Sequence, residues 1–155
     1  MQISEVSRAF KSQNDTASAI MGREFRSVNQ TLLETFFTPL KLATGKWVRG
    51  GHRWHAYSFG HQHALSGDSA VSAYSNQEAN TFIVYYEDVD HLFDCTANNL
   101  PDLRPLKNDI YVFPHDMAWL YSMTHEHGLG PYFDESTAQI MCRSQTHSLS
   151  LSKAS

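Results

Sequence analysis

The sequence predicts an α+β domain, with N-terminal helices packed on a curved, mainly antiparallel sheet. Three observations carry this. Helical four-residue spacing is confined to the first third of the chain, while the later two thirds hold short aromatic and β-branched runs broken by Gly and Pro. Length is the third: 155 residues suit one domain with a core of its own.

Taken in order, Ile3, Val6, Phe10, Ala17, Ile20 and Met21 give a first helix over residues 3–22, weakened by the polar stretch Ser12-Gln13-Asn14-Asp15. A second helix begins at Ser27, with Gln30 completing a capping box, and repeats Val28, Leu32, Phe36 and Leu40 until Pro39 ends or kinks it. Trp47-Val48 reads as a short strand. His52 to Phe59 reads as a stronger one, with Trp54, Ala56 and Ser58 on one face and His55, Tyr57 and Phe59 on the other. Asp68 caps one or two helical turns through Tyr74. Thr81 to Tyr86 is a buried-strand run. A loop with Pro101 and Pro105 fills residues 94–108. Asp109 to Phe113 and Met117 to Thr124 form a hairpin about the turn Pro114-His115-Asp116. Alternation then predicts that Met117, Trp119 and Tyr121 share one buried face. Asp134 to Met141 reads as a last short helix. The domain is expected over residues 1–143, with a frayed Ser-rich tail over 144–155.

Composition excludes some functions. The net charge is −4 and no Lys/Arg run occurs, so the electrostatic footprint of a nucleic-acid binder is missing. No apolar run approaches the length of a membrane span, and no secretory leader is visible at the start; a cytoplasmic protein is expected. Cys95 and Cys142 form no metal-type spacing and read as free thiols. A nucleophile elbow, a P-loop and a Gly-x-Gly-x-x-Gly turn are all lacking.

Nine histidines are the unusual feature, since their protonation would reverse the sign of the net charge. On a strand, His61 and His63 would face one side and could offer two imidazoles to a metal. The run Gly60-His61-Gln62-His63 resembles the first metal motif of the cupin barrels, though Gly67 stands where an acidic ligand is expected. A third ligand would come from His55, His125, His127 or Glu126. Without evidence of convergence, the expectation is no cofactor and no tightly bound metal. His125 and His127 share a face if the hairpin strand continues, and a Glu126/His pair could serve acid–base catalysis. The aromatic set, including Trp47, Trp54, Tyr57, Tyr85, Tyr111 and Trp119, exceeds what one core face needs. Its surplus would be covered by helix, by ligand or by another chain. Trp47, Trp54, Tyr57, His55, Tyr85, His125 and Glu126 are therefore the candidate ligand-binding or interface residues.

The block DIYVFPHDMAWLYSMTHEHGLGPYF, from Asp109 to Phe133, resembles the C-terminal end of small uncharacterised bacterial proteins, some carried on integron gene cassettes or encoded beside toxin genes. Val112-Phe113-Pro114, Trp119, Thr124-His125-Glu126 and Gly130-Pro131-Tyr132-Phe133 carry the resemblance. It implies a small bacterial accessory protein and supplies no catalytic role. Two functions follow as expectations. The first is an accessory or binding protein acting through an aromatic surface on itself, as a homodimer, or on a protein partner. The second is a small-molecule-binding or histidine-dependent, possibly metal-dependent, enzyme.

Overall fold

The computed structural model describes residues 15–48 and 50–137. The front of the helix expected over 3–22, the rear of the one expected over 134–141, Cys142 and the tail from residue 144 lie outside them.

The architecture is α+β: one open antiparallel sheet of seven strands, with helices against both faces. In chain order the elements are β1 (Thr16–Ile20), α1 (Gly22–Phe36), α2 (Thr38–Thr44), α3 (His55–Ser58), β2 (Leu65–Ser66), α4 (Asp68–Ser75), β3 (Thr81–Tyr86), β4 (His91–Thr96), β5 (Ile110–Phe113), β6 (Trp119–Met123) and β7 (Tyr132–Glu135). The strand order is β1-β4-β3-β5-β6-β7-β2.

Several expected elements are replaced. Thr16–Ile20 is a strand, not helix: it pairs along β4, from Thr16 opposite Thr96 to Ile20 opposite Leu92. Its small residues have little helical commitment, and the edge of β4 supplies backbone partners. Gly22, at φ +61°, then turns the chain into α1, so this helix starts five residues before Ser27 and the capping box goes unused. Ser27 instead lies mid-helix, its carbonyl accepting from Thr31 Oγ1 at 3.0 Å. α1 stops at Phe36, just ahead of Pro39 as expected, and Pro39 itself sits in the first turn of α2, where its missing N–H costs no hydrogen bond. Trp47-Val48 is not in a strand.

His52–Phe59 is a turn followed by α3. Its backbone donors find side chains instead of a strand partner: the Arg53 N–H reaches both oxygens of Glu87, at 2.9 and 3.2 Å, and the Trp54 N–H reaches Tyr111 Oη at 2.9 Å. Asp134 and Glu135, expected as helix, continue β7 against β6. β4, whose polar His91 and Asp94 interrupt the pattern, and the two-residue β2 were not anticipated either.

Alternation along the central strands divides the core. Ile83, Tyr85, Tyr111, Phe113 and Leu120 face α1, α2 and α3. Phe82, Val84, Tyr86, Ile110, Val112, Trp119, Tyr121 and Met123 face α4 and the segment around Leu103. Trp119 and Tyr121 share a face as expected, but Met117 does not. It lies in the turn at φ +56° and packs into the helix-side core. The ring surplus is thus covered within the chain. Phe59, more than half exposed, is the one ring among the large exposed apolar side chains of the described residues.

Candidate functional site at one end of the sheet

The hairpin register builds the site. Ile110 pairs with Met123, so Asp109, one residue before β5, lies beside the residues that follow β6. Tyr86 pairs with Ile110, which brings Glu87, one residue after β3, to the same end; its N–H donates to the Asp109 carbonyl at 3.0 Å. The loop before α3 lays His52, Arg53 and Trp54 across these strand ends.

Asp109 is fully buried, and a buried carboxylate needs donors. Its Oδ1 accepts the His125 backbone N–H at 2.9 Å. Its Oδ2 lies 2.8 Å from His125 Nδ1 and 2.9 Å from His52 Nδ1. The two imidazoles differ. His125 Nδ1 is hydrogen-bonded to Asp109, whereas His52 Nδ1 is buried and close to the same oxygen, yet its in-plane direction misses a hydrogen bond. The hydrogen bond to Asp109 raises the His125 pKa above its ordinary 6.5. The two rings lie 5.1 Å apart, and each keeps a solvent-open part, with 28% of the His52 side chain and 43% of the His125 side chain exposed.

Behind them stands a second buried carboxyl group. Glu87 Oε2 accepts the Tyr111 hydroxyl at 2.7 Å and lies 3.9 Å from His52 Nδ1. Burial raises the Glu87 pKa, against the opposing pull of Tyr111 and Arg53. The Arg53 guanidinium lies 3.5 Å from Glu87 Oε1, stacks over Tyr85 and donates to its hydroxyl at 3.0 Å; that hydroxyl donates in turn to Asp90 at 2.8 Å. Trp54 forms the aromatic wall, stacked on His52 with centroids 5.7 Å apart and in contact with His55 at 4.0 Å; His55 contacts Phe59 at 5.0 Å.

Of the candidates read from sequence, Trp54, His55 and His125 meet here, and Tyr85 joins through Arg53. Glu126 is exposed beside His125 and raises its pKa further. Tyr57 lies elsewhere, donating to Asp134 at 3.2 Å and stacking on Tyr132. Trp47 is half-buried on the helix side, under the Lys41 ammonium at 5.5 Å. His61 and His63 follow α3, and His63 lines a cavity of about 390 Å³ with Tyr57, Gln62 and Tyr132. His127 is exposed in the turn after β6. Among the described residues, the group whose ligand atoms converge is His52, Asp109 and His125. Sequence reasoning missed Asp109, His52, Glu87 and Arg53 as site residues. The available signal was an acid abutting each of two apolar runs, Asp109 before IYVF and Glu87 after TFIVYY.

Residues 41–133 match the family described as Domain of unknown function (DUF4275). The chain belongs to this family. The DUF4275 stretch runs from α2 to β7 and contains His52, Glu87, Asp109 and His125, so the whole site lies inside it. No curated protein and no solved structure matches the chain.

Proposed function

We propose that this DUF4275 protein is a histidine-dependent enzyme acting on a small molecule, with His125 and His52 as its acid–base groups and Asp109 as the carboxylate that orients them. One observation carries the reading: both imidazoles approach a single oxygen of a fully buried carboxylate through Nδ1. A carboxylate at Nδ1 fixes the tautomer, leaves Nε2 for the reacting partner and stabilises the charged ring. The exposed Phe59 and the half-buried His55, backed by the buried Trp54, supply an apolar surface beside the imidazoles. The accessory role and a bacterial mobile-element source rest on the resemblance of the Asp109–Phe133 block. A cassette recombination site or a toxin gene beside the coding sequence would support them.

The test is a pair of measurements on metal-free protein. Imidazole NMR should show His125 titrating above pH 6.5 in the wild type and at lower pH in Asp109→Asn. Turnover of p-nitrophenyl ester and phosphate probes should fall by 10²-fold or more in His125→Ala, roughly the contribution of one acid–base group. A His125 titration indifferent to Asp109, together with turnover indifferent to His125, would overturn the proposal.

A further inference from the structure

We propose that His52 Nδ1, Asp109 Oδ2 and His125 Nδ1 form a binding site for one divalent transition-metal ion of the zinc class. The inference rests on the acid–base reading only in using the same residues.

Three observations carry it. The first is spacing. Two ligands at right angles on an ion about 2.0–2.1 Å away stand about 2.9 Å apart, and at the tetrahedral angle about 3.4 Å apart. The two imidazole nitrogens stand 2.8 and 2.9 Å from Asp109 Oδ2, and one ligand atom from each of the three residues lies within 4.8 Å of the others. Small side-chain rotations reach either geometry.

The second is direction. His52 Nδ1 is buried and close to Oδ2 without a hydrogen bond to it. A short contact that is not a hydrogen bond is what two ligands aimed at a common third atom show. His125 Nδ1 lines up with Oδ2 and shares a proton with it, a proton that a bound ion would displace.

The third is charge. The fully buried Asp109 carboxylate sits against two imidazoles, while the nearby Arg53 guanidinium lies against Glu87; Asp88 adds another acid, its Oδ2 3.5 Å from the Asp109 amide that donates to it. Buried charge requires compensation, and a cation between Asp109 and the imidazoles supplies it. Two imidazoles and one carboxylate suit zinc, nickel, cobalt or copper better than calcium or magnesium, which take oxygen ligands. Three protein ligands leave further positions open for water or substrate. The exposed parts of His52 and His125 mark where that open side lies.

Protons compete for the imidazole lone pairs, so the site should weaken as the pH falls. Glu87, Asp88 and Glu126 favour the ion around it, and Arg53 opposes it.

The experiment uses the full chain without a histidine tag, stripped with a chelator and dialysed. Cobalt(II) is titrated in while its visible absorption is followed, then displaced with zinc(II). The expected result is one equivalent bound and a new visible band. Either His52→Ala or His125→Ala should weaken affinity on the order of 100-fold or more, at least the loss known for groups that only support a ligand. His61→Ala with His63→Ala should leave it unchanged. Because His125 is partly exposed, its variant should keep the wild-type unfolding midpoint, which separates loss of a ligand from loss of the fold. Absence of a band at micromolar protein, binding retained in the His52/His125 double variant, or binding abolished by the His61/His63 pair would each overturn the site. The NMR titration of metal-free protein reports separately on the acid–base reading, so either proposal can fail alone.

Discussion

Asp134 shows how one buried side chain writes itself into the pH dependence of the whole fold. Its Oδ2 accepts from Gln62 Nε2 at 2.9 Å and from the Tyr57 hydroxyl at 3.2 Å, with no cation beside it among the described residues. Burial outweighs both donors and pushes its pKa from 3.8 up to about 7. The folded form therefore holds a proton that the unfolded chain releases near pH 4. That contribution is complete below the unfolded value and is lost as pH rises through about 7. It amounts to roughly 4 kcal/mol at most. Urea unfolding between pH 4 and 8 should show the wild type losing stability relative to Asp134→Asn across this window. Glu87, also raised by burial, acts in the same sense, so the difference between the two proteins is the quantity to read. Parallel curves would refute the assignment. Sequence reasoning had offered Tyr57 as a ligand-facing ring. Nothing in the order of residues tells it that its hydroxyl meets an acid 77 positions away.

At the level of elements, the β5–β6 hairpin was readable because apolar residues run on both sides of a turn with Pro, His and Asp. Trp119 is buried against Phe133, at 5.9 Å and 22°, and edge-on to Tyr74. Trp119→Ala should cost on the order of 3–5 kcal/mol in a denaturant titration, because no neighbour can fill the volume of an indole. A midpoint within error of the wild type would undo the packing described. The misreadings have a common cause. The alternation of His52–Phe59 is real, but a strand needs a free edge, and Glu87 and Tyr111 claim the amide donors of Arg53 and Trp54 first. For β1 the opposite holds: a weak local pattern becomes a strand because β4 offers an edge. Local pattern proposes, and available partners decide.

For the molecule as a whole, covering both sheet faces within one chain makes ring burial independent of association. Trp54 and Trp119 are buried and Trp47 is half-buried. Acrylamide should therefore quench only a minor part of the tryptophan emission, and that fraction should stay constant on dilution across the micromolar range. A quenchable fraction that grows on dilution would mean that a second copy supplies the cover. The α+β class was legible because pattern changes along the chain. The site was legible only in pieces, since His52, Asp109 and His125 come from a loop, the start of one strand and the end of another, and register alone unites them. That register has an evolutionary corollary. Tyr111 points to Glu87 and Trp54, while its neighbours Ile110 and Val112 point to the layer beneath α4. One strand thus serves two tenants on opposite floors. Drift in the α4 layer can proceed under selection for fit alone, while the upper layer is held by its chemistry, so lineages could exchange one layer and inherit the other intact.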